Sequence, residues 1–93
     1  MATYYMFGRY SIDAMKGISA ERTKKVVHLI EKLDGNVLSM HALLGRYDLV
    51  LVVELPGTES AIKASLGATK LTGISFSTSE AISVEEFDRL SKP

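Results

Sequence analysis

The chain has 93 residues, with Lys plus Arg and Asp plus Glu at 11 each and a formal net charge of zero. That length holds one core, so residues 1–93 read as a single domain, and a charge-neutral chain offers no electrostatic footprint for nucleic acid or an anionic membrane. Cysteine is absent and the only histidines are His28 and His41. Disulfides, thiolate zinc sites and cysteine nucleophiles are therefore excluded, and a His-rich metal set is not expected.

Thr3 to Tyr10 is rich in aromatics and predicts a first strand. Ser11 can cap a short helix that Gly17 stops. Ser19 can cap a longer one running to about Asp34, with Gly35 as its stop signal. Within it Thr23, Val26, Val27, Ile30 and Leu33 recur at helical spacing and form one apolar stripe. Asn36 to Leu44 predicts a second strand, Gly45-Arg46-Tyr47-Asp48 a turn, and Asp48 to Leu55 a third strand. Strands joined by so few residues make an antiparallel hairpin. The third strand is apolar on both parities through Val53, so both its faces are expected to be buried.

Thr58 can cap a helix through about Thr72, with small Ala61, Ala64 and Ala68 and with Ile62 and Leu66 as larger anchors. Ile74 to Ile82 alternates as a fourth strand, with Ile74, Phe76 and Thr78 on one side and Ser75, Ser77 and Ser79 on the other. Ser83-Val84-Glu85-Glu86 is a capping box, with Ile82 and Phe87 at the staple positions. Val84, Phe87 and Leu90 then share one face of a short C-terminal helix, and that face needs a surface to bury against.

The order strand, helix, strand, strand, helix, strand is the βαββαβ arrangement of ferredoxin-like α+β folds. Right-handed crossovers place the first and third strands at the centre of an antiparallel sheet and both long helices on one face. Leu49, Leu51, Val53 and Leu55 are assigned to the helix side, as are Leu38, Met40, Ala42 and Leu44 of the second strand. Val37, Leu43, Val50 and Val52 then face away, amid Ser39, His41, Ser75, Ser77 and Ser79. For the first strand either parity can face the helices. So large a half-apolar uncovered face is unusual for a monomer. Back-to-back pairing of two sheets covers it, which predicts a homodimer with room for a small polar ligand between or beside the sheets.

The stretch Ala42-Leu43-Leu44-Gly45-Arg46-Tyr47-Asp48-Leu49-Val50 resembles the GYD domain family, named for its Gly, Tyr and Asp signature. Thr3-Tyr4 through Gly8-Arg9-Tyr10, Lys16 to Thr23, Leu71 to Phe76 and Val84-Glu85-Glu86-Phe87 match it too. The resemblance spans essentially the whole chain. It implies a dimeric α/β barrel of the ferredoxin-like class and supplies no established activity. The Gly-x-Tyr-Asp turn is also similar to the effector-sensing domain of leucine-responsive transcription regulators, which implies a stand-alone sensor because no helix-turn-helix segment is present. The cofactor-independent monooxygenases of the dimeric-barrel group are similar in fold alone.

Six residues stand out as candidate ligand contacts: Arg9, His41, Gly45, Tyr47, Asp48 and Ser77. Gly45, Tyr47 and Asp48 suit a structural turn, with positive φ at the glycine and a carboxylate accepting turn amides, or a polar binding rim. His41, at mid-strand on the open face, is either hydrogen-bonded to Ser39, Ser75 or Ser77 or, were the protein an enzyme, a general base. Arg9 is a candidate anion anchor, or an ion-pair partner of Glu80 or Glu54. No phosphate loop, nucleophile elbow or zinc spacing occurs, and no metal or cofactor is expected. The leading expectation is a non-catalytic homodimer, its partner a second copy or a higher assembly, that binds a small polar molecule. The alternative is a cofactor-independent oxygenase or isomerase with His41 as base and Arg9 or Tyr47 orienting the substrate. The longest apolar run, Leu49 to Val53, is far short of the about 20 residues of a membrane span. The start lacks the basic region of a signal peptide, so a cytoplasmic location is expected.

Overall fold

Strands and helices follow one another as β1 (Ala2–Arg9), α1 (Ile12–Lys16), α2 (Ala20–Lys32), β2 (Asn36–Ala42), β3 (Leu49–Leu55), α3 (Thr58–Thr72), β4 (Ser75–Ala81) and α4 (Val84–Ser91). The structure, a computed structural model, describes residues 1–93. One antiparallel sheet forms in the order β2-β3-β1-β4, so the two most apolar strands are central and the polar-flanked strands are edges. This is an α+β architecture with ferredoxin-like order, and no helix is long and apolar enough to cross a membrane.

Register decides what each face carries. On the helix side, rows run across the sheet as Val37, Val53, Tyr4, Glu80 and as Met40, Leu51, Met6, Thr78. Val26 and Ile30 of α2 and Ala61, Ala64 and Ala68 of α3 pack over these rows and close the core. Alanines let α3 sit close to the sheet. Gly67 meets Leu29 of α2, where an added methyl would lie 3.1 Å from a leucine methyl. Small residues on α3 thus serve the contact between the helices as well as the contact with the sheet. Ile62 and Leu66 are not core anchors. They stand on the outer side of α3, more than half exposed, because the inner stripe is already occupied by the alanines three and four residues apart.

The second strand departs from simple alternation. A β-bulge between Val37 and Ser39 puts two residues opposite one on β3. Val37 therefore turns inward and packs against the core, while Leu38 is pushed out and exposed. Beyond the bulge Ser39 and His41 return to the uncovered face as expected. The strand also ends at Ala42, two residues early, which leaves Leu44 fully exposed in the hairpin loop. On β1 the register settles the open parity: Tyr4, Met6 and Gly8 face the helices, and Thr3, Tyr5, Phe7 and Arg9 face away.

Caps account for most helix boundaries. Ser11 and Ser19 accept hydrogen bonds from Ala14 and Arg22 amides at 2.9 and 3.0 Å. At α3 the capping position belongs to Gly57, without a side-chain bond, and Thr58 is the first helical residue. At the end of α2 Asp34 takes the left-handed conformation (φ 63°), a position that asparagine and aspartate tolerate better than most residues. Gly35 follows, buried against β3. A Cβ there would sit 2.4 Å from the Glu54 carbonyl oxygen and 2.6 Å from a Leu55 methyl.

The last helix, α4, is well formed yet has no buried residue. Ser83 accepts the Glu86 amide at 3.0 Å, but the Glu86 carboxylate turns to Arg89 instead of back to Ser83, so half of the capping box forms. The Arg89 guanidinium holds the Glu86 carboxyl below its ordinary value of 4.5. The pairing is thus intact above that range and is lost as pH falls through the lowered pKa. Val84, Phe87 and Leu90 remain 75%, 62% and 60% exposed.

Gly35→Ala is expected to destabilise the fold by about 2 kcal/mol or more, because a backbone oxygen cannot retreat as a side chain would. Urea denaturation reads this as a lower midpoint with an unchanged slope.

Candidate functional site

The uncovered sheet face is built from two apolar columns between two polar ones. Successive rows read Ser39, Val52, Tyr5, Ser79 and His41, Val50, Phe7, Ser77, with Arg9 opposite Ser75 at one end. Strand alternation alone accounts for the columns, since every second residue of β1 and β3 on this side is aromatic or β-branched until Arg9 and Glu54 close the ends. Tyr5 and Phe7 have ring centroids 6.3 Å apart, and Phe7 lies 5.1 Å from Tyr47, which folds over the end of the sheet from the hairpin loop.

That loop is held by Asp48. Its backbone amide donates to the Gly8 carbonyl and its carbonyl accepts from Leu43, both at 2.9 Å. Its carboxylate accepts the Tyr10 amide at 2.9 Å, where β1 leaves the ladder. Gly45 has φ 123° with nothing near its missing side chain, so it is required by the backbone path alone. With the loop so anchored, Tyr47 is presented as a platform. The guanidinium carbons of Arg9 and Arg46 lie 5.7 and 5.8 Å from its ring centroid, within cation–π range. Arg9 Nε also donates to the Arg46 carbonyl at 3.0 Å.

Arg9, Arg46, Tyr47, Ser75 and Ser77 line a cavity of about 250 Å³ at this end of the sheet. The ion pairs of the chain are Lys63 with Glu59 and Arg89 with Glu86, so neither arginine has a carboxylate partner. Glu54 and Glu80 pair with Thr3 and Tyr4 at the opposite end of β1, and Glu80 lies on the helix side as well. Two unpaired guanidiniums beside serine hydroxyls make an anion-favouring pocket.

Of the six candidate residues, the structure brings Arg9, Tyr47 and Ser77 together in this cavity. Gly45 and Asp48 support it through the backbone, and the Asp48 carboxylate is engaged by Tyr10. His41 is elsewhere: exposed on edge strand β2, three strand steps from Ser77, or about 14 Å at the usual spacing. Hydrogen bonds from His41 to Ser75 or Ser77 are thereby ruled out. Arg46 was not singled out among the candidates. It is the variable residue inside the Gly-x-Tyr-Asp signature, but in an irregular loop no periodicity says where a side chain points.

The sheet order, the one-sided helices and the Gly45-Arg46-Tyr47-Asp48 loop define a small ferredoxin-like domain with a polar cavity at the end of its open face. The family model of the GYD domain matches residues 4–90, and the chain belongs to that family. No curated protein matches the chain.

Asp48→Ala is expected to destabilise the domain by about 1–2 kcal/mol, the cost of leaving the half-buried Tyr10 amide unpaired. Asp48→Asn keeps an oxygen acceptor and is expected to retain most of that stability. Thermal unfolding of the two variants side by side checks this.

Proposed function

We propose that the domain is a homodimer that binds a small anionic molecule at the mouth of the space between two paired sheets. The observation that carries the reading is the uncovered face itself. Tyr5, Phe7, Val50 and Val52 form an apolar centre, and Ser39, His41, Ser77 and Ser79 form a polar border. An apolar patch rimmed by hydroxyls and imidazole has the anatomy of a protein interface, and a two-fold axis lets one such face cover its twin. The small number of buried residues adds weight. Only 15 of the 93 residues are buried in the single chain, so much of the apolar surface has still to find a partner.

Pairing of the faces leaves the Arg9 cavity at the rim, because Arg9 and Ser75 form the last row of the sheet. There a carboxylate or phosphate group meets two guanidiniums, two serine hydroxyls and the Tyr47 ring. The chemistry is recognition. The cavity presents guanidinium and hydroxyl donors, and His41, the residue suited to proton transfer, is not in it. The amphipathic α4 provides a second association surface, since an eight-residue helix is marginal in water unless its apolar face is covered.

Light scattering is expected to give twice the single-chain mass of 10.2 kDa. Phe7→Glu, which places a charge at the centre of the face, is expected to give the single-chain mass with unchanged far-ultraviolet circular dichroism. A single-chain mass for the unsubstituted protein at micromolar concentration overturns the pairing.

Inorganic phosphate and succinate serve as probes for the cavity. Titration is expected to move the amide resonances of Ser75, Ser77 and Tyr47. Arg9→Gln or Arg46→Gln is expected to weaken binding about tenfold or more, the value of one charge-assisted hydrogen bond.

A further inference from the structure

A second cavity lies on the helix-covered side of the sheet, between α3 and β4, and shares no residue with the Arg9 pocket. Its volume is about 410 Å³, within the range of roughly 300–1,000 Å³ typical of small-molecule sites. Ile62 and Leu66 give it an apolar wall. On α3 and β4 the hydroxyls of Ser65 and Thr78 are hydrogen-bonded to one another across it. Glu80 is its one charged lining residue, and neither ion pair of the chain includes that carboxylate. Tyr4 lines it from β1.

Tyr4 supplies the observation that points to a ligand. The side chain is 4% exposed, and its hydroxyl is the buried side-chain polar atom that has no hydrogen-bond partner. A phenol oxygen at a core position normally finds a partner, and leaving one unpaired is costly. Phenylalanine would fill the same space without that cost. The oxygen is sealed from water in the free protein, so a ligand head reaches it only by moving the side chains that cover it, and then supplies a bond the free protein does not make. The lining contains no lysine, arginine or histidine. The unpaired Glu80 carboxylate and the hydroxyl oxygens are acceptors, so the cavity selects a donor that carries positive charge.

We propose that the groove between α3 and β4 binds a small organic amine. Its apolar body lies on Ile62 and Leu66, and its ammonium donates to Glu80 and to the Tyr4 and Ser65–Thr78 hydroxyl oxygens. The site is opposite in charge to the Arg9 pocket and on the other side of the sheet, and it does not depend on pairing of the open faces.

Phenethylamine is the probe, with 2-phenylethanol and phenylacetate as neutral and anionic analogues of similar shape. In an amide NMR titration of the full chain, phenethylamine is expected to shift Ile62, Ser65, Leu66, Thr78 and Glu80 saturably. The alcohol is expected to bind at least about tenfold more weakly, the value of one charge-assisted bond, and phenylacetate to leave these residues unmoved. Glu80→Gln is expected to cost about tenfold in amine affinity, the value of one charge-assisted bond. Tyr4→Phe separates a binding role from a packing role: it is expected to raise the melting temperature of the free protein while weakening the amine severalfold. Equal binding of amine and alcohol, an unchanged affinity in Glu80→Gln, or no saturable shift in the groove overturns the proposal.

Discussion

Everything in this domain depends on two central strands that are apolar on both sides. In β1 and β3 the helix-facing set is Tyr4, Met6, Leu51, Val53 and Leu55, and the opposite set is Tyr5, Phe7, Val50 and Val52. Two helices can cover only one side of a four-stranded sheet in this topology. The hydrophobic effect therefore closes the helix side within the chain, while Tyr5, Phe7, Val50 and Val52 have no helix over them. The alanine stripe of α3 belongs to the same economy of space, since small residues bring the helix down onto Met6 and Leu51 without a thick layer of side chains. The proposed pairing of open faces is the most direct answer to the demand that remains.

The end of the sheet is where backbone and side-chain requirements meet. Asp48 closes three hydrogen bonds at the point where β1 and β3 separate, and so determines how the hairpin loop lies. Tyr47 then rests on Phe7, and two arginines gather over it without a carboxylate to neutralise them. Like charges brought together by structure are unfavourable for the free protein and favourable for an anion that arrives between them. The glycine, tyrosine and aspartate of the family signature thus play different parts: one permits the turn, one makes the platform and one ties the loop down. The arginines, one from a strand end and one from inside the signature, carry the charge.

On the covered side the same sheet presents the opposite chemistry. Glu80 follows the strand alternation inward at an edge, where solvent still reaches it, and Tyr4 is placed beneath α3 with its hydroxyl unsatisfied. The two cavities are therefore separated by the sheet, differ in charge and draw on alternate residues of the same strands. A one-residue change of register in β4 would exchange Ser77 for Thr78 and Glu80 for Ser79, and would abolish both.

Most of the architecture was legible in the chain. Period-two and helical spacing place the elements within a residue or two, with serine caps at α1, α2 and α4 and glycines after α1, α2 and α3. The doubly apolar β3 announced its central position. The open-face residues Ser39, His41, Val50, Val52 and Ser77 followed from alternation alone. The structure departs from the pattern where a bulge shifts a strand or where small residues already fill a helix contact. Val37 and Leu38 exchanged sides because a bulge adds a residue without any mark in composition. Ile62 and Leu66 were expected inside because their size suggested anchors, yet the alanine stripe had already filled the contact. Local rules of pattern and capping determine which segments are strands and helices, since these depend on neighbours a few residues away. The convergence of Arg9 with Arg46, the separation of His41 from Ser77, the engagement of Asp48 by Tyr10 and the orphaned Tyr4 hydroxyl were decided only in three dimensions. Each depends on strand order, register or loop path, which bring together residues far apart in the chain, as Tyr4 with Glu80 and Tyr10 with Asp48.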